Sequence, residues 1–400
     1  MNPHRILVIG AGVGGISTAR ALLRDGHDVT VFERRPKVTA AGGAVTIWSS
    51  GATVLGQLGV DLVGAGQQLS TLRARTPTGR RIATLDLAEI AERLGAPVRM
   101  IPRRVLLDRM LEGFPAERIR CNARAVQVID TRDGVRVEFD DGSSAEGDLL
   151  IGADGLHSMV RNVVGAQLAE PTGWCSWQGL VTLPQITDKS VDKDVALMII
   201  GEHANLGLWP AGGSDLQWWF DLPWSPDFVR PGCPIRQIRS IFAGWSDSVD
   251  RVLARLTDED LAPSPFPHFR HPIPGRGRGA VTLLGDAAHT MPPTLAQGTN
   301  QALLDTMVLR KALSDFQDGP KALRWYENTR RRKVRAVSWV TTQQVSRSES
   351  ALRPAAMIPD RFTAQALTMF LDWTSHRRMA AQISRDIAAA PAAALVRAHE

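Results

Sequence analysis

An apolar run, Arg5-Ile6-Leu7-Val8-Ile9, breaks off into Gly10-Ala11-Gly12-Val13-Gly14-Gly15, and no other feature of the chain restricts its fold as strongly. A short apolar run bounded by glycine fits a buried strand, and this glycine spacing fits a strand-to-helix turn. Gly10 permits the tight turn, Gly12 lets a pyrophosphate approach the backbone, and Gly15 lets helix and strand pack closely. A helix over about residues 13–26 then presents free N–H groups and a positive dipole end to phosphate. A second strand over 28–33 completes a βαβ unit and ends on Glu33, placed to accept hydrogen bonds from ribose hydroxyls. The competing reading is a glycine-lined packing turn. The position of Glu33 favours dinucleotide binding.

Further strand-like runs fall at 125–130, 134–139, 148–154 and 280–286. Residues 171–267 differ: short aromatic strands alternate with proline and glycine. Seven of the eleven tryptophans lie there, at Trp174, Trp177, Trp209, Trp218, Trp219, Trp224 and Trp245. From about 298 the pattern is helical almost to the end. The nucleotide-type segments are therefore interrupted by an aromatic sheet.

Several function classes drop out. No apolar run approaches the roughly 20 residues that span a bilayer. The N-terminus enters a strand with no signal-like segment, so a cytoplasmic location is expected. Cys121, Cys175 and Cys233 are odd in number and in no ligand spacing, which fits a reducing compartment and argues against a disulfide framework or a metal site. The net charge of +6 is mostly arginine. The basic run Arg330-Arg331-Arg332-Lys333-Val334-Arg335 reads as a solvated helix face, with no nucleic-acid motif beside it. Arginine in excess of lysine and abundant alanine suggest a GC-rich bacterial genome.

Two later blocks narrow the dinucleotide. Gly152-Ala153-Asp154-Gly155-Leu156-His157-Ser158-Met159-Val160-Arg161 follows a strand and opens a helix. The stretch 283–300, LLGDAAHTMPPTLAQGTN, passes from a strand through Asp286 and Pro292-Pro293 to Gly298-Thr299-Asn300 and another helix. In this order the blocks resemble the flavoprotein aromatic hydroxylases of the para-hydroxybenzoate hydroxylase type, nearest to the urate, salicylate and zeaxanthin-epoxidase-like subgroup. The resemblance runs to about residue 335 and includes Trp177-Gln178-Gly179-Leu180-Val181 and Trp325-Tyr326-Glu327-Asn328.

The resemblance implies an α/β fold. A Rossmann-like FAD-binding domain would be assembled from residues 1–75, 98–170 and 268–325, with a β-sheet substrate domain from 76–97 and 171–267 and a helical region over 326–400. It implies FAD held by Gly10, Gly12, Gly15, Glu33, Arg34, Arg103, Val126, Asp154, Asp286, Gly298, Thr299 and Asn300, with Asp154 and Arg161 meeting transient NAD(P)H. Asp286 would hold a ribityl or ribose hydroxyl. The backbone N–H groups of Gly298, Thr299 and Asn300 would face the flavin's pyrimidine edge, where a helix N-terminus stabilises negative charge. Arg34 and Arg103 also fit surface cations, and Asp154 also fits a helix cap.

The implied activity is NAD(P)H- and O2-dependent hydroxylation of a small aromatic or polycyclic molecule through a flavin C4a-hydroperoxide, of the kind that tailors secondary metabolites. Epoxidation, Baeyer–Villiger insertion and a non-catalytic flavoprotein that sequesters an aromatic ligand are the alternatives. A monomer or homodimer is expected. Trp48, Trp209, Gln217 and Trp219 are the pocket candidates, although half of the aromatics on alternating strands simply pack the sheet. His203 is the side-chain acid–base candidate, and His289 reads as a structural hydrogen bond near the turn. Asn205 and Gln217 stand where the urate-hydroxylating members imply an Arg and a Tyr, which argues against urate. Ala296 stands where the family has a glycine.

Overall fold

The computed structural model describes residues 3–40, 42–132, 134–183, 193–261, 264–345 and 357–389. The first βαβ unit forms where its spacing demands: strand Arg5–Ile9, helix Val13–Arg24 and strand Asp28–Phe32. These strands join a five-stranded parallel sheet in the order Val281–Leu283, Leu149–Gly152, Arg5–Ile9, Asp28–Phe32, Ile119–Arg120. The inner strands are largely apolar and buried on both faces, as parallel sheets require. The runs at 125–130 and 134–139 pair with Ser144–Gly147 as a separate antiparallel sheet.

Chain segments some 290 residues apart close this domain. Helix Gly298–Asp315 lies along helix Val13–Arg24, and the Ser17 and Thr18 hydroxyls meet the Thr306 hydroxyl at 2.8 and 2.9 Å. At the far end of the pair the Arg310 guanidinium grips the Asp25 carboxylate through two nitrogens. Helix Gly319–Val345 adds Tyr326, whose hydroxyl donates to the Leu283 carbonyl inside the core. The one tyrosine of the chain is thus a core residue and takes no part in a pocket relay.

The second domain is a seven-stranded sheet in the order Phe266–Arg270, Glu170–Thr182, Asp215–Pro223, Asn205–Gly212, Val195–Ile200, Thr71–Arg75, Arg81–Asp86. Two expected boundaries shift. Strand Thr71–Arg75 falls within the expected nucleotide-domain range 1–75, but it pairs in parallel with Val195–Ile200. Helix Gly319–Val345 runs through the boundary expected at 325/326 and docks on the nucleotide domain. One face of the large sheet buries Trp177, Leu206, Leu208, Trp218 and Phe220 against helices Pro234–Phe242 and Asp247–Arg255. The other face turns toward the nucleotide domain, where Trp209 clusters with Ala44, Trp48 and, from helix Asp360–Thr374, Ala364 and Leu371.

The basic run at 330–335 is not wholly solvated. Arg330 is buried, and its Nε donates to the buried Asp305 carboxylate at 2.6 Å. The other Asp305 oxygen accepts from the Gly285 N–H at 2.9 Å and pairs with His289 Nε2 at 2.6 Å. Burial alone would raise the Asp305 pKa, but His289 and Arg330 outweigh it and pull it down to about 2. A depressed carboxyl contributes stability above its unfolded pKa of about 3.9 and loses it as pH falls through the folded value. We therefore expect Asp305→Asn to lower unfolding free energy by about 3–5 kcal/mol at neutral pH. Urea melts of the two proteins between pH 7 and 2 check this: the gap should narrow by about 2–3 kcal/mol as pH falls from about 4 to 2.

Candidate active site

The glycines of the first loop divide into two kinds. Gly10 has φ +104°, and a Cβ there would collide with the Ala153 carbonyl; a Cβ on Gly15 would collide with the Gly10 carbonyl. Both are imposed by packing. A Cβ on Gly12 would meet nothing within 4 Å. Gly12 therefore opens onto free space at the N-terminus of helix Val13–Arg24, which carries no side-chain cap. A pyrophosphate fits there, held by first-turn N–H groups. Glu33 is fixed beside it: one carboxylate oxygen accepts from the Ala11 N–H and the other from the Arg35 N–H, both at 3.0 Å. Arg34 and Val126 are exposed on the same rim, because Ala123 N–H donates to the Glu33 carbonyl and starts the next strand alongside.

The other end of the groove is built by the 283–300 stretch. Gly285, at φ +61°, turns the chain so that Asp286 points outward, exposed, its side chain without a hydrogen bond among the described residues. The Asp286 carboxylate lies 3.7 Å from where a Cβ on Gly298 would stand. There helix Gly298–Asp315 begins, and the N–H groups of Gly298, Thr299 and Asn300 have no intrahelical partner. Arg103 joins this end: burial lowers its pKa and the Asp286 charge opposes that. An outward carboxylate, a half-buried guanidinium and an uncapped helix start suit a ligand with hydroxyls, phosphates and an electron-accepting ring.

Three expected contacts find other partners. The Asn300 side chain is buried and cross-links the frame: Oδ1 accepts from the Trp48 N–H, and Nδ2 donates to the Thr46 and Ala296 carbonyls, each at 2.9 Å. Only its backbone can face the flavin. Asp154 caps helix Met159–Val163, accepting from the Ser158 hydroxyl and from Met159 N–H at 2.8 Å. Arg161 is buried and spends its guanidinium on the carbonyls of Gln167, Ala287, Ala288 and Ile273. It holds the turn after Asp286 in place and presents nothing to NAD(P)H, correcting that expectation.

The sheet face opposite helices Pro234–Phe242 and Asp247–Arg255 carries the pocket candidates. Trp209 and Trp219 meet at 5.5 Å between ring centroids, tilted by 60°. Trp219 lies across Gly207, where a Cβ would strike its ring, and remains partly exposed. Trp209 and Trp48 are buried, and Trp48 Nε1 donates to the Leu295 carbonyl at 3.1 Å. Gln217 is also buried: it accepts from the Ala44 N–H and donates to the Trp218 carbonyl. Of the four pocket candidates, Trp219 keeps open surface, while Trp48 and Gln217 brace the two domains. His203 is misplaced as an acid–base candidate. It lines a cavity of about 630 Å³ with Leu222, Phe228, Ile241 and Trp245, on the helix-packed side of the sheet.

Sequence reasoning missed Asp305, Gly43 and Gly51. A Cβ on Gly43 would strike the Gln217 carboxamide and one on Gly51 the Asn300 carboxamide, so both glycines permit the braces. Asp305 had one local signal, an acid within the apolar stripe Leu303, Leu304, Met307 and Val308. No group of metal-ligating side chains occurs among the described residues, and none of their helices is long and apolar enough to cross a membrane.

These features fit the binding of an extended flavin dinucleotide. The FAD binding domain family model matches residues 4–341, and the chain belongs to this family of class A FAD-dependent monooxygenases. It is 32% identical over 337 residues to the FAD-dependent urate hydroxylase of Klebsiella pneumoniae, covering 83% of this chain and 87% of that protein. It is 34% identical to the 3-amino-4-hydroxybenzoate 2-monooxygenase of Streptomyces cremeus, covering 82% and 83%. The crystal structure of Klebsiella pneumoniae HpxO with FAD and uric acid superposes with a TM-score of 0.82 at 27% identity, over 92% of this chain and 96% of that one.

Gly12→Ala should fold normally and lose FAD affinity by at least about tenfold, roughly 1.4 kcal/mol. Gly15→Ala should lose stability, by about 1–3 kcal/mol or more, because its Cβ meets backbone. Flavin titration together with thermal melting separates the two.

Proposed function

We propose that this chain hydroxylates a small aromatic or polycyclic molecule, using bound FAD, NAD(P)H and O2. The observation that carries the reading is the aromatic wall of Trp219 and Trp209 on the sheet face turned toward the flavin-binding segments. Flat apolar rings match such a wall, and aromatic contacts add about 0.5–1.5 kcal/mol beyond their area. Relatives named as hydroxylases of urate and of an aminohydroxybenzoate support the class. Bound FAD supplies acceptance of hydride from NAD(P)H and activation of O2. The chain's own part is to orient the ring against the wall, to exclude water and to place helix N–H groups beside the charged flavin edge. Arg103 and Asp286 would hold the cofactor's polar groups, and Glu33 its ribose.

Ala296 adds a feature of this chain. It sits at φ +50°, ψ +39°, in the left-handed region that costs a non-glycine residue about 1 kcal/mol. The extra methyl restricts the loop just before the flavin-facing helix. Ala296→Gly should remove that strain while widening the loop's freedom, so peroxide formed per NAD(P)H should rise.

The deciding assay follows NAD(P)H oxidation at 340 nm in air against a panel of phenols, indoles and polycyclic aromatics, with peroxide measured in parallel. One compound should stimulate oxidation with little peroxide, and Trp219→Ala should raise its KM by about tenfold. Oxidation unaffected by every ring would contradict the reading.

A further inference from the structure

The pocket-facing side of the large sheet carries a polar group at one end that the chemistry above does not use. Asn205 and Asp221 are directly paired neighbours on adjacent strands. Strand alternation puts them on the same face as Trp209, Gln217 and Trp219. Asp221 lies two residues beyond Trp219, about 7 Å along the strand. It is largely buried, and no lysine or arginine approaches it within 4 Å among the described residues. One of its oxygens accepts from the Ser176 hydroxyl, which also meets His268 Nε2 at 2.6 Å. The other oxygen has no hydrogen-bond partner among the described residues, and the side chain keeps 12% exposure. The Asn205 carbonyl oxygen is likewise buried without a partner.

Two acceptors with unused capacity therefore stand side by side at the end of an aromatic wall. A buried carboxyl without a cation is costly, and burial accordingly pushes Asp221 up to about 7, with the Ser176 hydrogen bond opposing. The groups that face it are Ser176, His268 at 4.0 Å and Asn205 on the pocket side, with Cys175 on the opposite side of the strand. None of them is a permanent cation. His268 is itself buried, which pulls its pKa down to about 4 and favours the neutral ring. What the group lacks is a donor, and a positive one would complete it.

We propose that Asp221 and Asn205, braced by Ser176 and His268, form the subsite for a hydrogen-bond-donating, cationic nitrogen on the substrate, carried one short tether away from the ring that lies against Trp219. The inference rests on the aromatic-substrate reading and deepens it by assigning the substrate's second end. It makes the substrate a basic aromatic amine in preference to an aromatic acid.

The test uses the FAD-loaded full chain and two probes of one shape, tryptamine and 3-ethylindole. Their dissociation constants are read from the perturbation of the flavin spectrum. The wild type should prefer tryptamine by at least tenfold, and Asp221→Asn should reduce that preference at least tenfold. Asn205→Ala should reduce it severalfold, and it serves should Asp221→Asn fail to retain FAD or to melt like the wild type. Equal binding of the two probes, or a preference untouched by either substitution, overturns the subsite and leaves the aromatic reading standing. No flavin perturbation by either indole or by any ring of the panel overturns that reading and the subsite with it.

Discussion

A single buried carboxylate, Asp305, sets the geometry on which the flavin-facing end depends. It sits in helix Gly298–Asp315 and holds Arg330 from helix Gly319–Val345, His289 from the turn and the Gly285 N–H just before Asp286. Three chain segments are thereby tied at one point. A charge in such a place is tolerated only because its partners are equally fixed, and that requirement makes the arrangement rigid. Asp286 and the free N–H groups of the helix start are consequently held relative to each other before any ligand arrives, which is the condition for electrostatic stabilisation without reorganisation.

The same logic sets the length of the groove. The helix that begins at Gly298 is locked along the helix that begins at Val13 by Thr306 and by the Arg310–Asp25 pair. The distance between the phosphate end and the ring end is thus a property of two packed helices. The substrate sheet is then docked against that frame by Gln217 on Ala44 and by the packing of Trp209 with Ala44 and Trp48. One face of that sheet is given to helices and core, the other to the nucleotide domain, and the tryptophans divide accordingly: Trp177 and Trp218 on the first, Trp209 and Trp219 on the second.

Much of this was legible in the chain, for physical reasons that differ by element. The βαβ unit could be read because glycine spacing and apolar runs are local, and Arg5–Ile9, Asp28–Phe32 and Gly134–Phe139 fall within a residue of their expected bounds. The pairing of Thr71–Arg75 with Val195–Ile200 could not, since two strands some 120 residues apart carry no local mark of each other. Arg161, expected to meet NAD(P)H, and Arg330, expected on a solvated helix face, differ from expectation for a related reason: the partners of a basic residue in a helix carry no local mark, and here they are carbonyls of a distant turn and an acid in another helix. Gln217 looked like a pocket group because its strand faces the pocket; its amide is consumed by the Ala44 N–H.

The central claim is that three separated segments form one FAD groove. Hydrogen–deuterium exchange of the FAD-free and FAD-reconstituted protein tests it most directly. The account predicts that FAD slows exchange together at residues 10–16, 285–289 and 298–300, with little change in helices Pro234–Phe242 and Asp247–Arg255. Protection confined to the first loop, with 298–300 unaffected, would contradict it.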